Sequence, residues 1–241
     1  MNQIEVCERI APIQRDRATT VRQRCRIENT RRAMIANRLG YHGGLPEAER
    51  KRIMKEADAL IERIIEGEPH ALSAQVITLE ETIKQLKALE KGYDKRLAGL
   101  LRHLPPIVKW VEAQRGLSLA GAAIILGETG DLSLYANPAK VWKRLGLAPK
   151  TSRGQSRAGS TWRRLSKTGE GLHTVEWSEY GYSPRRRSIA YVAANNLVRA
   201  GKAKPDKGRP NDTEYYLYFL RRKEEKKALG WKPLRCLRHA N

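Results

Sequence analysis

Cysteine is scarce in this chain. Cys7, Cys25 and Cys236 are odd in number and far apart, which excludes a disulfide framework and a cysteine-based metal motif. Long apolar runs are missing as well. No stretch approaches the ~18 consecutive apolar residues of a membrane span, and the opening MNQIEVCERIAPIQRDR has no apolar core of an export signal. These absences point to a reducing, cytoplasmic setting, with no membrane, metal or cofactor expected. Aromatic residues make up only 6% of the 241, against 40% hydrophobic in all, so a core must be built chiefly from aliphatic side chains.

Acidic residues are in deficit, and unevenly so. The formal charge is +21. Residues 140–241 hold 25 Lys+Arg and 8 Asp+Glu, a balance of +17; residues 1–139 hold 22 and 18, a balance of +4. Basic density of this kind points first to nucleic acid, because each phosphate contact releases condensed counterions. The basic residues are interleaved with Trp, Tyr and Leu, unlike a solvated charge run or a simple basic tail.

Hydrophobic spacing reads as all-α. Residues 14–38 form a basic helix, broken at RLGYHGGLPEAER, where Gly40, Gly43 and Gly44 end one helix and Pro46 opens the next. Residues 46–66 carry Ile53, Ala57, Leu60, Ile61, Ile64 and Ile65 along one face. From 72 to 104, Val76, Leu79, Ile83, Leu86, Tyr93, Leu97 and Leu100 follow the 3-4 spacing of a coiled-coil seam, with Glu90 as its one polar position. The expected partner is helix 46–66, folded back as an antiparallel hairpin, with a second copy of the chain extending the bundle into a homodimer. Pro105-Pro106 stops the helix. The domain plan is thus a basic helical segment (1–45), a coiled-coil hairpin (46–104) and a compact basic helical domain (115–241).

Residues 115–131, RGLSLAGAAIILGETGD, are nearly uncharged. They fit two helices with a tight joint: Gly116 permits the turn, and Ala120 and Gly121 allow close approach of backbones. Such a hairpin, through Gly116, Leu117, Ser118, Ala120 and Gly121, can present backbone N–H groups to a phosphate. It can equally be a plain helix–helix joint.

The segment continues with Gly130-Asp131, Tyr135, Pro138-Ala139-Lys140, Leu145-Gly146-Leu147-Ala148-Pro149 and Lys167-x-Gly169. Residues 117–169 thereby resemble the C-terminal domain of IS110-family transposases. That module is related to the Nop domain of box C/D guide-RNA particles, where a long coiled coil also precedes a compact basic helical domain. Two features of the transposases are missing. Residues 1–45 show no alternating strand with a central Asp for a RuvC-like nuclease. In PKTSRGQSRAGSTW the serines Ser152, Ser156 and Ser160 are not followed by Gly, as the nucleophile of those enzymes is. What remains is similar to the TIGR-associated (Tas) proteins in their nuclease-less form. That resemblance implies an RNA-guided ribonucleoprotein whose partners are a guide RNA and a target DNA, without enzymatic activity of its own. The alternatives are a divergent serine recombinase using Ser152 or Ser156, and an unguided nucleic-acid binder.

Candidate nucleic-acid contacts fall in two places. Lys150, Arg153, Arg157, Trp162, Arg163, Arg164 and Lys167 stand in a Gly- and Ser-rich stretch that suits backbone contact, with Trp162 available to stack on a base. Helix 183–202, capped by Ser183 and Pro184, crowds Arg185, Arg186 and Arg187 into its first turn, where cations oppose the macrodipole. A phosphate there is expected to resolve the conflict, with Lys202 and Lys204 beyond. Tyr215, Tyr216, Tyr218 and Phe219 read as core.

Overall fold

The computed structural model describes residues 1–147, 183–202 and 213–230, and every regular element among them is helical. In chain order these are α1 (Gln3–Arg38), α2 (Glu47–Ile65), α3 (Ser73–Leu101), α4 (Pro105–Ala113), α5 (Leu119–Thr129), a 3₁₀ turn (Leu132–Leu134), α6 (Pro138–Arg144), α7 (Pro184–Lys202) and α8 (Glu214–Ala228). No helix among the described residues is long and apolar enough to cross a membrane.

The first difference from expectation is at α1, which begins well before residue 14 and runs through Pro12. An interior proline costs a helix about 3 kcal/mol. Val6 and Ile10 on the same turns are fully buried among Leu97, Leu101, Leu104, Val111 and Leu126. At ~1.5–3 kcal/mol for each such side chain, that burial offsets the break.

The chain divides into two compact units, residues 15–95 and a second made of Met1–Gln14 with the residues from 96 onward. The boundaries expected at 45/46 and near 105–115 do not appear as unit limits.

In the unit of residues 15–95, α1 and α3 are joined by a ladder of ion pairs: Arg17 to Asp94 (2.6 Å), Arg24 to Glu90 (2.6 Å) and Arg31 to Glu80. Residue numbers rise along α1 as they fall along α3, so the two run antiparallel. The three arginines are spaced by seven, which brings them to one face. Glu90, the polar break in the seam, is thereby explained: it accepts from Arg24, which also binds Glu28 one turn on. Hydrogen bonding to Glu90 raises the Arg24 pKa above its already high ordinary value.

The expected partner α2 is not alone: the charged edge of α3 is met by α1, while α2 packs in a cluster of Ile53, Ala57, Leu60, Ile61 and Ile64 with Ile35, Ala36, Leu72 and Val76. Arg32 fixes α1 to α2 through a two-pronged bond to Asp58 (2.6 and 2.9 Å). Of the stripe of α3, Val76, Ile83 and Leu97 are fully buried, and Leu79, Leu86, Tyr93 and Leu100 are half-buried.

In the other unit, the core joins Val6 and Ile10 of α1, Leu97 and Leu101 of α3, Leu104, Val111 of α4, and Ala122, Ala123 and Leu126 of α5. Pro105, expected only to stop the preceding helix, also opens α4. Gly127 lets α1 lie close on α5, since a Cβ there would sit 2.6 Å from Gln14 Cβ. The closest approach is thus at Gly127, not at Gly121. Val198 of α7 and Phe219 of α8 form a smaller cluster with Tyr216 and Leu220.

Two substitutions check these contacts. Glu90→Ala removes the principal partner of a largely buried guanidinium and is expected to cost about 1–2 kcal/mol in urea unfolding. Gly116→Ala combines a φ of +93° with a Cβ 2.5 Å from the Asn196 carbonyl oxygen. It is expected to cost about 2–4 kcal/mol, read as a lowered midpoint at unchanged m-value.

Candidate nucleic-acid interface

Between Arg115 and Asp131, the nearly uncharged stretch carries one charged residue. Glu128 is its only acidic residue before Asp131. Its carboxylate, 2% exposed, lies at the end of α5. Both Nη atoms of Arg185 grip it, one at 2.7 Å on Oε2, and Arg186 Nε donates to Oε2 at 3.3 Å. Gln14 Nε2 donates to Oε1 at 2.9 Å. The same residue's backbone carbonyl accepts from Arg144 Nε at 3.2 Å. Arg187 takes a different partner, the Gly146 carbonyl, at 3.2 Å.

The arginine cluster at the start of α7 is therefore real, and its conflict with the helix dipole is met from within the chain. Ser183 caps the helix as expected, accepting from Arg186 N at 3.3 Å. In place of the expected phosphate, the Glu128 carboxylate stands against Arg185 and Arg186. Two arginines still face one carboxylate, and the Arg185 side chain is 41% exposed. The cluster keeps a positive outer edge.

The hairpin of residues 116–121 is a packed joint. Gly116 lies directly against Asn196 and Ala200 of α7. Ser118 caps α5, and its Oγ accepts the Gly121 N–H at 3.0 Å. Leu117 packs on the core, and Ala120 is half-buried. The Gly121 N–H is thus taken up by the cap, and the segment serves as a helix cap and joint.

Downstream, Asp131 organises the 3₁₀ turn. It accepts from Ser133 N (3.0 Å), Ser133 Oγ (2.8 Å) and Gln3 Nε2 (2.5 Å). These bonds, the Ser133 backbone N–H first, hold its pKa below the ordinary carboxylate value. Nearby, burial and then the Asp131 charge push the Cys7 thiol pKa up, so Cys7 is an inert core thiol. Tyr135 donates its phenol O–H to the Thr129 carbonyl. Between Leu134, Tyr135 and Ala136 on one side and Lys140, Lys143 and Arg144 on the other lies an open cleft of about 400 Å³.

The aromatic residues of α8 divide. Phe219 is buried and Tyr216 half-buried, as expected of core. Tyr215 and Tyr218 are exposed, contrary to expectation. Tyr215 meets Trp110 edge-to-face at 6.3 Å, and Arg221 lies over the Tyr218 ring at 5.5 Å.

Lys150, Ser152, Arg153, Ser156, Arg157, Trp162, Arg163, Arg164, Lys167 and Lys204 lie outside the described residues, and Lys202 is the last residue of α7. Among the described residues, no group of three or more His, Cys, Asp or Glu side chains is placed to hold a metal ion. Comparison with protein-family models, curated proteins and solved structures finds no match for this chain.

Sequence reading missed Glu128, Gln14 and the cleft. The signal for Glu128 was its isolation: one carboxylate in an apolar segment of a strongly basic chain. Glu128→Gln keeps the shape but leaves two guanidiniums without a counter-charge. Because Arg185 is partly solvated, the cost is expected at about 2–3 kcal/mol in urea unfolding, below that of a fully buried pair.

Proposed function

We propose that this chain is a guide-RNA-binding protein, the scaffold of an RNA-guided DNA-targeting ribonucleoprotein with no nuclease domain of its own. The observation that carries the nucleic-acid part is the charge balance: +17 over residues 140–241 against +4 before them. Geometry adds a reason to place the polymer on the second unit. In the unit of residues 15–95, Arg17, Arg24, Arg31 and Arg32 have carboxylate partners. In the second, the α7 arginines outnumber their one carboxylate, and Lys140, Lys143 and Arg144 line an open cleft with no acidic residue among its described lining residues.

The guided part rests on the resemblance of residues 117–169 to the IS110 C-terminal module and of the whole plan to Tas and Nop proteins. On that reading the protein recognises the shape and charge of the RNA and of the guide–target duplex, and base pairing selects the sequence.

Purification with and without nuclease tests it. The protein isolated from cells of its own source is expected to carry one discrete RNA species. Its affinity should fall steeply with salt, as counterion release requires. A random smear of cellular RNA would remove the guide, and no retention on any oligonucleotide at physiological salt would remove nucleic-acid binding altogether.

A further inference from the structure

We propose that the cleft between Tyr135 and Arg144 is a binding site for one unpaired nucleotide of a bound strand. The base lies on Tyr135 and Leu134, and the phosphate meets Lys140, Lys143 and Arg144. The inference rests on the nucleic-acid reading above and goes beyond it, because it names a single-strand site outside the arginine cluster of α7.

Four observations converge. First, the lining residues are of two kinds, the apolar and aromatic Leu134, Tyr135 and Ala136 and the basic Lys140, Lys143 and Arg144. A nucleotide has that same division, and an acidic peptide does not supply the flat face. Second, the walls are held in place. The Tyr135 ring is tethered through its phenol to the Thr129 carbonyl, and the Arg144 guanidinium through Nε to the Glu128 carbonyl. Both acceptors belong to the end of α5, so ring and guanidinium are set by one rigid element. Side chains already fixed lose little freedom on binding. Third, Leu134 is 81% exposed beside the ring, a large apolar surface left in water. Fourth, the space of about 400 Å³ lies within the ~300–1,000 Å³ of small-ligand sites.

A duplex cannot use this site, since its bases are stacked on one another. An unpaired loop, end or displaced strand can, because every base offers a π-face to an aromatic platform. The site is therefore expected to be tolerant of sequence.

The test uses the full chain, freed of RNA, with a short fluorescein-labelled oligouridylate and a blunt RNA duplex of equal length. Tyr135→Leu is expected to weaken the single strand about tenfold and the duplex by less than about twofold. Lys140→Gln combined with Lys143→Gln, both solvent-exposed, should lower the slope of log affinity against log salt for the single strand by about two. Irradiation of the wild-type complex with a 5-bromouridine probe should give an adduct on the peptide containing Tyr135, which keeps the test decisive if Tyr135→Leu fails to fold. Equal loss on both probes, an unchanged salt slope, or adducts mapping elsewhere overturns the site while leaving nucleic-acid binding intact. Wild-type protein that binds neither probe overturns both. A polyglutamate peptide bound with the same dependence on Tyr135 assigns the cleft to acidic protein segments and overturns it as well.

Discussion

A carboxylate closed off from water beside two guanidiniums fixes the second unit of this protein. Glu128 ends α5, receives both forks of Arg185, and is steadied by Arg186 and Gln14. Three helices meet there: α1 through Gln14, α5 through Glu128 itself, and α7 through its first turn. A buried ion pair is a poor source of net stability, because desolvation of each charge consumes most of the attraction. It is a strong source of register. An arginine fork accepts a carboxylate in few orientations, so α7 can lie on α5 in one arrangement only. The glycine positions agree: Gly116 admits α7, and Gly127 admits α1.

The arginines at the start of α7 show how a local conflict becomes a tertiary instruction. Cations in a first helical turn oppose the macrodipole and are unfavourable by some tenths of a kcal/mol each. Left alone, they would weaken the helix where it begins. Beside Glu128 they are paired, and the penalty vanishes only when α7 reaches its proper seat. A sequence feature that looks like a ligand site therefore also serves folding. Arg187, bonded to the Gly146 carbonyl, extends the same anchoring toward the loop after α6.

Much of the architecture was legible because it is periodic. The aliphatic face of α2, the buried apolar positions Val76, Ile83 and Leu97 of α3 and the Ser183 cap of α7 are written in spacing and capping chemistry, and the structure places them where they were read. Pairing was harder. α1 was missed as a partner of α3 because α2 is next to α3 in sequence and has the cleaner apolar face. The better signal was electrostatic: Arg17, Arg24 and Arg31, spaced by seven, face Asp94, Glu90 and Glu80. The extent of α1 was hidden by Pro12, a local cost outweighed by burial of residues distant in sequence. The cleft was illegible for a related reason. Tyr135 and Arg144 come together through carbonyl acceptors at the end of α5, and backbone acceptors leave no trace in residue identity.

Charge placement then separates the two units by what each still needs. Residues 15–95 pair Arg17, Arg24, Arg31 and Arg32 of α1 with carboxylates from α1, α2 and α3. In the second unit, the carboxylate at the base of α7 comes from before residue 140, and the acids of α8 pair within their own helix, Glu225 with Arg222 and Glu224 with Lys227. Local pairs on an exposed helix relieve little of the repulsion between elements. A fold built this way carries self-repulsion that grows with the net charge of its basic half, and its own carboxylates are too few to cancel it. A polyanion laid across that half supplies the missing counter-charge continuously, at the spacing of phosphates. On the function proposed above, the same excess that makes the isolated unit costly to close is what would bind such a polymer.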